Sequence, residues 1–269
     1  MKVLFIGPHP DDNELHCGGF ALKLIKAGHQ VQFLSVCNGC GGHHILSAPE
    51  TAARRAKEIQ AVAETLGIQY DVWADVDDCN VMADLPTRKR MIRYIRSFNP
   101  DIVICNRTND YHADHRNTAI LVQDASYLLT VPNECPEVPA MRYMPVIILS
   151  EDSFSNPTFE ADFVIPIDDV LEEKYKIINL HVSQLYEWLP YTRGDDTVPE
   201  DSEERFIWLK ASCERRAKGF RKTADRFRHV LAEQFGENKA MDIQYAEAYQ
   251  LSEYGRKLSE EQLQQLLAL

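Results

Sequence analysis

The feature that most constrains the fold is a regular alternation of short apolar segments with longer segments of helical periodicity. Lys2 to Gly7 is rich in strand-forming residues, Cys17 to Ala27 has apolar residues at helical spacing, and Val31 to Val36 is again strand-like. Further strands are predicted at 70–73, 101–105, 146–149 and 163–166, and further helices at 50–66, 85–98, 116–129 and 168–185. This order predicts an α/β fold with a Rossmann-like, mostly parallel sheet and helices on both faces.

The second half of the chain is less regular. Pro190 to Pro199 is rich in turn-forming residues and is a candidate lid, and a long charged helix is predicted from Glu203 to Phe235. Apolar residues spaced alternately by four and three predict that one face of this helix packs on the core: Cys213, Ala217, Phe220, Ala224, Phe227 and Leu231. We find no repeat and no linker. We therefore predict one domain over 1–269, with an α/β core over 1–185 and a helical C-terminal elaboration over 186–269.

Composition excludes several classes of function. The chain has 269 residues and a net charge of −12, which disfavours a nucleic-acid partner because such partners are bound largely through Lys and Arg. The apolar runs are much shorter than the roughly 20 residues of a membrane-spanning helix, so we expect no membrane insertion. Pro8 and His9 interrupt the first apolar segment too early for a signal peptide, and the seven cysteines suit a reducing compartment. We expect a cytoplasmic protein, with a homo-oligomer left open.

Two clusters of reactive side chains directly follow predicted strands. His9, Asp11 and Asp12 follow the first strand, and the segment 110–115, Asp-Tyr-His-Ala-Asp-His, follows the strand that ends near Cys105. Ligands of open parallel sheets bind at the carboxyl ends of the strands, where both clusters would meet. In the alternative interpretation, the aspartates only cap helices and the histidines are solvated loop residues. Two such clusters at one edge favour a metal site.

The residue types in these clusters suggest a catalytic metal. Three imidazole and carboxylate ligands that leave one position open are typical of catalytic zinc. The candidate ligands are His9, Asp12 and His115. Zinc lowers the pKa of bound water to about 7, and Asp11, near the metal but not bound to it, is then the candidate general base. A protonated His112, oriented by Asp114, is the candidate partner of the developing oxyanion.

These motifs resemble those of the PIG-L/LmbE-like zinc-dependent deacetylases, which remove N-acetyl groups from N-acetylglucosaminyl compounds. The family's opening His-Pro-Asp-Asp motif and glycine pair are matched at 9–12 and at Gly18-Gly19, and its later His-x-Asp-His motif is matched at 112–115. The resemblance implies the same ligands, the same base and the same oxyanion partner as the residues themselves suggest. One departure is Asn13, where many members have a carboxylate; it affects the surroundings of the ligands rather than the ligands.

Weaker similarities extend to about residue 185. They lie around Arg55 in the second helix, at Arg142 before the strand at 146–149, and around His181. The resemblance implies that Arg55, Arg142 and His181 bind the substrate. On the residues alone, Arg142 fits a surface salt bridge equally well, and His181 fits a hydrogen-bonded core histidine.

The sequence therefore predicts a zinc-dependent N-deacetylase, a hydrolase of linear amides that releases acetate from a small N-acetylglucosamine-type sugar or glycoconjugate. Another divalent metal remains an option because histidine and carboxylate ligands accept several. Two alternatives stay open: hydrolysis of a different amide or ester by the same metal, and a non-catalytic sugar- or metal-binding module. Cys37 and Cys40 have redox spacing, but their glycine-rich surroundings favour a loop that covers the substrate.

Overall fold

The computed structural model describes residues 1–216 and 219–269 and is built on a seven-stranded sheet. The strands are β1 (Lys2–Gly7), β2 (Gln30–Ser35), β3 (Gln69–Val72), β4 (Ile102–Cys105), β5 (Val146–Ser150), β6 (Phe163–Pro166) and β7 (Ala246–Leu251). The helices before β7 are α1 (Asp12–Lys26), α2 (Ala48–Leu66), α3 (Leu85–Phe98), α4 (Ala113–Leu128), α5 (Leu171–Ile178), α6 (Leu189–Arg193), α7 (Ser202–Arg215), α8 (Phe220–Arg226), α9 (Arg228–Phe235) and α10 (Glu237–Asp242). A π-helical segment, Ser183–Trp188, precedes α6, and α11 (Glu260–Leu267) follows β7.

The sheet confirms the predicted α/β fold class. Its strand order is β3-β2-β1-β4-β5-β7-β6, and β1 to β5 run parallel. Alternate residues of the central strand β1 enter different cores: Phe5 packs in one cluster with Phe20 of α1, whereas Leu4 belongs to a second cluster. Helices therefore cover both faces. Because Ile6 pairs with Cys105, the loops after β1 and β4 leave the sheet side by side.

The predicted C-terminal helical region also contributes a strand. β7 lies between β5 and β6 and runs antiparallel to both. Its buried Glu247 accepts the backbone N–H groups of Gly19 at 2.7 Å and of Phe20 at 2.8 Å. A Cβ on Gly19 would lie 2.6 Å from Ile167 Cγ2, so only glycine permits this approach. β7 was not predicted from the sequence, because the buried Glu247 interrupts its apolar pattern. The one-domain assignment stays a prediction.

The long helix predicted from Glu203 to Phe235 is wrong, because the structure has α7, α8 and α9 in that span. Gly219 precedes α8, and a Cβ there would lie 2.6 Å from the carbonyl oxygen of Glu214. The chain thus folds back on the end of α7, which a continuous helix cannot do. Most residues of the predicted apolar face are buried, whereas Ala217 lies outside the described residues.

The helix predicted from Asp168 to about Leu185 is shorter in the structure. α5 ends at Ile178, and the π-helical segment then leads into α6, which ends before Gly194. Gly194 has a φ of +62°, a left-handed conformation that favours glycine and ends the helix. π-Helical turns occur often at functional sites, and this one borders the cavity described below. Within the described ranges, none of the helices combines the length and the apolar character that crossing a bilayer requires.

Candidate active site

Two loops bring the three predicted metal ligands together at the carboxyl edge of the sheet. His9 follows β1, Asp12 is the first residue of α1, and His115 lies in the first turn of α4. Asp12 Oδ2 lies 3.2 Å from His9 Nδ1 and 3.6 Å from His115 Nε2. One donor atom from each residue lies within 4.8 Å of the other two. Two imidazoles and one carboxylate at this spacing fit a divalent cation with an open coordination position.

Carboxylates contact the other nitrogen of both imidazoles. His9 Nε2 lies 3.2 Å from Asp78 and 3.3 Å from Asp114, and His115 Nδ1 lies 3.1 Å from Asp110. Metal-binding histidines usually have such a partner, which fixes the tautomer and the orientation of the ring. Burial lowers the pKa of His9, but hydrogen bonds to the surrounding carboxylates outweigh it and raise this pKa well above its ordinary value. The surroundings of the ligand set therefore also fit a metal.

The carboxylate of Asp114 does not orient His112 as the sequence analysis predicted. It is fully buried, accepts the N–H groups of Cys79 at 2.7 Å and Val81 at 3.2 Å, and faces His9. Asp114 reaches His112 only through its backbone N–H, which donates to His112 Nδ1 at 3.2 Å. The loop between β3 and α3 supplies the donors that turn this carboxylate away from His112.

His112 is a neutral donor in this arrangement, in contrast to the predicted imidazolium. Because its Nδ1 accepts the backbone hydrogen bond, the proton of the neutral ring is on Nε2. Burial lowers the pKa of His112, and the neighbouring His9 and His115 lower it further. The ring therefore offers an Nε2–H group to a developing negative charge without carrying a positive charge.

Asp11 lies beside the predicted metal ligands but is not part of the group that could hold a metal. Its φ of 152° lies in a region that residues other than glycine rarely adopt, and such strain is concentrated at functional sites. Burial raises the pKa of Asp11, and the Arg55 guanidinium 3.2 Å away only partly offsets this effect. Desolvation also raises the pKa of the half-buried Asp12, but His115 and His9 hold this pKa well below the ordinary value. The two adjacent carboxylates therefore suit different tasks: the charged Asp12 could hold a cation, and Asp11 could accept a proton.

Arg55 and His181 support the site from behind. Arg55 borders the cavity, but it is 2% exposed, and its guanidinium donates to the carbonyl oxygen of Pro10 at 2.5 Å and contacts Asp11. His181 is fully buried, with Nε2 3.2 Å from Glu14. Both side chains are thus engaged by protein groups instead of facing the substrate as predicted.

Arg142 does not join the site. It is exposed and lies near Asn99, Asp101 and Arg256. Because β5 is parallel to β4, a residue before β5 lies at the amino ends of the strands, whereas His112 follows the carboxyl end of β4. The predicted contact of Arg142 with the active site is therefore not formed.

Asp78 was not among the predicted site residues, but it contacts His9 and has a carboxylate oxygen within 4.8 Å of a ring nitrogen of His112. Burial opposes its charge, but the contact with His9 lowers the pKa of Asp78. A usable signal existed, because this acid follows β3 at the same edge of the sheet. The unusual Asn13 has a structural role, since its amide donates to the carbonyl of Leu34 in β2 at 3.1 Å.

His9, Asp12 and His115 line a cavity of about 620 Å³, a volume in the usual range of small-molecule sites. The π-helical segment contributes Gln184 and Trp188 to this wall, and the loop after β4 contributes Tyr111. Tyr191 stacks on Trp188 with ring centres 5.8 Å apart, and on His44 at 4.0 Å. Stacked rings thus support one side of the opening.

The loop that carries Cys37 and Cys40 also borders this cavity through Gly42. All seven cysteines lie in the described part of the chain and are free thiols. Gly39 has a φ of +67°, and a Cβ on it would lie 2.3 Å from Arg55 Nη1. The glycines therefore let this loop pack closely on the arginine that supports Asp11, an arrangement that suits a loop beside the substrate.

Comparisons with known proteins found similar sequences and similar structures. The model of the PIG-L family, described as GlcNAc-PI de-N-acetylase, matches residues 4–126. The chain is 29% identical over 239 residues to a diacetylchitobiose deacetylase of Thermococcus kodakarensis, and the match covers 85% of each protein.

Solved structures have similar folds. N,N'-diacetylchitobiose deacetylase from Pyrococcus horikoshii superposes with a TM-score of 0.68 at 24% identity, covering 94% of this chain and 84% of that one. A 4-carboxy-2-hydroxymuconate hydratase from Pseudomonas putida has a TM-score of 0.72 at 18% identity, covering 96% and 98%. Because a hydratase has the same fold, the fold alone does not select the reaction, and the side chains of the site must decide it.

Proposed function

Because the model of the PIG-L family matches residues 4–126, we propose that this chain is a zinc-dependent hydrolase that removes the N-acetyl group from an N-acetylglucosamine-type sugar or glycoconjugate. The observation that carries this proposal is a set of three metal ligands with a buried, unligated carboxylate beside it, that of Asp11, in the wall of one cavity. The names of the relatives from Thermococcus and Pyrococcus support the choice of an acetylated amino sugar.

The proposed zinc ligands are His9, Asp12 and His115. Their donor set, two imidazole nitrogens and one carboxylate oxygen, is common in catalytic zinc sites and leaves room for a further ligand. When bound there, zinc supplies Lewis-acid activation of water and of the amide carbonyl. The carboxylates of Asp78 and Asp110 hold the imidazole rings in the orientation that binding requires.

Asp11 is the proposed general base. As the oxygen of water bonds to the carbonyl carbon, the Asp11 carboxylate accepts a proton from that water, and it returns the proton to the nitrogen when the C–N bond breaks. The products are acetate and the free amine. Burial suits this role because it brings the pKa of Asp11 up from its ordinary value towards neutrality. Arg55 keeps the carboxylate in place through its contact at 3.2 Å.

His112 is the proposed partner of the oxyanion that develops on the carbonyl oxygen. Its Nε2–H group borders the same cavity, and the backbone of Asp114 fixes its tautomer. A preorganised donor of this kind is worth about 10²- to 10³-fold in kcat. The two alternative functions, another amide or ester substrate and a non-catalytic binding module, differ in what they need here. A binding module needs neither the strained Asp11 nor this donor.

The test combines metal content with acetate release. Tag-free protein is analysed for zinc, and acetate release from a panel of N-acetylglucosamine derivatives is measured before and after chelation. We expect near-stoichiometric zinc and release that chelation abolishes. Zinc without release from any member of the panel would contradict the substrate assignment.

Two variants separate the roles of the neighbouring residues. Asp11→Ala should keep the metal and lose about 10²- to 10⁴-fold in kcat, because only proton transfer is removed. His115→Ala should lose the metal itself. Equal metal retention in both variants would contradict the ligand assignment.

A further inference from the structure

A second, much smaller cavity adjoins the cavity of about 620 Å³ that the proposed zinc ligands line. Its volume is about 30 Å³, which is room for about two water-sized groups. Three residues line both cavities: Asp12, His16 and His115. The apolar part of the small cavity's wall is buried and comes mainly from Ile6, Cys17, Ile104 and Cys105. The small cavity therefore lies directly beside two of the proposed zinc ligands.

The charged groups in the wall of the small cavity have partners within the protein. Three contacts are formed: Arg107 Nη2 with Asp152 at 2.8 Å, His115 Nδ1 with Asp110 at 3.1 Å, and Thr223 Oγ1 with Glu151 at 2.7 Å. Paired charges of this kind do not call for a charged ligand. A small uncharged group, such as a methyl group, suits the space between them and the buried apolar side chains.

The proposed reaction leaves this cavity as the space for the methyl group of the substrate. Once water has added, the carbonyl carbon carries two oxygens, the nitrogen of the sugar and the methyl group. The oxygens interact with the zinc site, Asp11 and His112, and the sugar requires the larger cavity. Among the residues that the structure describes, Asp11 and His112 line the larger cavity and not the small one. The methyl group is thus the one substituent that the larger cavity does not need to hold.

His16 lies where the two cavities meet. It follows Asp12 by one turn of α1, and its Nε2 lies 3.8 Å from Asp12 Oδ1, because residues four apart share one face of a helix. The same side chain also lines a third cavity, of about 110 Å³. Shortening this side chain would therefore join the small cavity to the spaces beside it.

We infer that the small cavity receives the methyl group of the acyl substituent and that the bulk of His16 excludes longer acyl chains. His16 is then a specificity-determining residue, which acts through its size. The inference rests on the proposed function and deepens it, because it restricts the substrates to amino sugars with an acetyl group rather than a longer acyl group.

Three compounds that differ only in the length of the acyl chain test this inference. The derivative from which acetate is released fastest is prepared in N-acetyl, N-propionyl and N-butyryl forms, and release of the common free amine is measured. Each added methylene should lower kcat/KM by about 10- to 200-fold. Equal kcat/KM for the three compounds would overturn the inference.

Variants of α1 then assign the preference to the size of His16. His16→Ala should lower the ratio of kcat/KM between the acetyl and butyryl compounds by at least about tenfold. His16→Leu keeps the bulk but removes the ring nitrogens, so it should keep the ratio even if loss of the contact with Asp12 lowers both activities. Leu15→Ala is the matched control, because this neighbouring residue lines the larger cavity and the third cavity. An unchanged ratio in His16→Ala, or an equal change in His16→Leu or Leu15→Ala, would overturn the assignment.

A binding measurement separates failure of this inference from failure of the proposed function. If the wild-type protein hydrolyses none of the acylated sugars, the deacetylase proposal fails. The small cavity is then tested by calorimetry of the zinc-loaded protein with acetohydroxamate and butyrohydroxamate, which differ only in chain length. Tighter binding of acetohydroxamate that His16→Ala abolishes would support the inference. Equal binding of the two compounds, or a preference that persists in His16→Ala, would refute it.

Discussion

The buried ion pair between Lys174 and Glu247 joins α5 to β7 beneath the helix that carries Asp12. Their side chains are 0% and 2% exposed. The Glu247 carboxylate also accepts the N–H groups of Gly19 and Phe20 and the hydroxyl of Tyr249 at 2.7 Å. Because Glu247 comes from a strand at the end of the chain, this cluster ties the C-terminal region to the first helix. Glu247→Gln is therefore an informative perturbation.

The expected loss follows from the burial of both charges. Glu247→Gln keeps an acceptor for the backbone donors but leaves the Lys174 ammonium buried without a counter-charge, which costs about 3–5 kcal/mol. Typical free energies of unfolding are about 5–15 kcal/mol, so this single change removes a large share of the stability of the fold. At about 2–4 °C per kcal/mol for a large domain, the melting temperature falls by about 6–20 °C. Lys174→Met costs less, because the carboxylate keeps its three other donors.

Urea unfolding of the two single variants and the double variant measures this loss. The free energy of unfolding of the double variant should be about 2 kcal/mol higher than the sum of the two single losses predicts. The reason is that the double variant buries neither charge. Glu172→Gln is the control, because its ion pair with Lys210 is exposed and should contribute less than about 1 kcal/mol. A loss below about 1 kcal/mol for Glu247→Gln, or strictly additive losses, would refute the reasoning.

Two further predictions concern arginines that the sequence analysis assigned to the substrate. Arg55→Gln should move the acid limb of the kcat/KM pH profile to higher pH. The base works only when it is ionised, and loss of the Arg55 guanidinium, which lowers the pKa of Asp11, raises that pKa. An acid limb that does not move would contradict the assignment of Asp11 as the base. Arg142→Ala should leave kcat/KM for acetate release unchanged, because Arg142 is exposed at the opposite edge of the sheet. A large loss of activity would indicate that Arg142 contributes to the active site after all.

The fold class and the proximity of His9, Asp12 and His115 were predictable because both depend on local patterns. Strand and helix periodicities predicted the sheet, and the rule that ligands bind at the carboxyl ends of parallel strands brought His9 and His115 together. Arg142 was misassigned because motif similarity does not show at which end of a strand a residue lies. Arg142 precedes β5 and therefore lies at the amino ends of the parallel strands. Asp78 was missed because it follows the short strand β3, whose residues are half-buried or exposed, after several intervening residues.

The direction of each reactive side chain could not be predicted in the same way. Asp114 was expected to face His112, its neighbour in sequence, but its carboxylate faces His9 across 105 residues. Donors from the loop between β3 and α3 turn it there, and no local pattern records them. The cavity wall is a similar case, since residues of α6 and α7 line it together with residues of α1, which is far away in the chain.

By itself, the sequence determined where strands and helices alternate, which loops carry imidazoles and carboxylates, and that these loops share one edge of a parallel sheet. These properties follow from backbone periodicity and chain direction, which act over short segments. Only the tertiary structure decided the partners: Glu247 against Gly19, Asp114 against His9, and Trp188 in one cavity with the predicted ligands. Such contacts join residues far apart in the chain, and their formation depends on packing and on competing hydrogen-bond donors rather than on spacing.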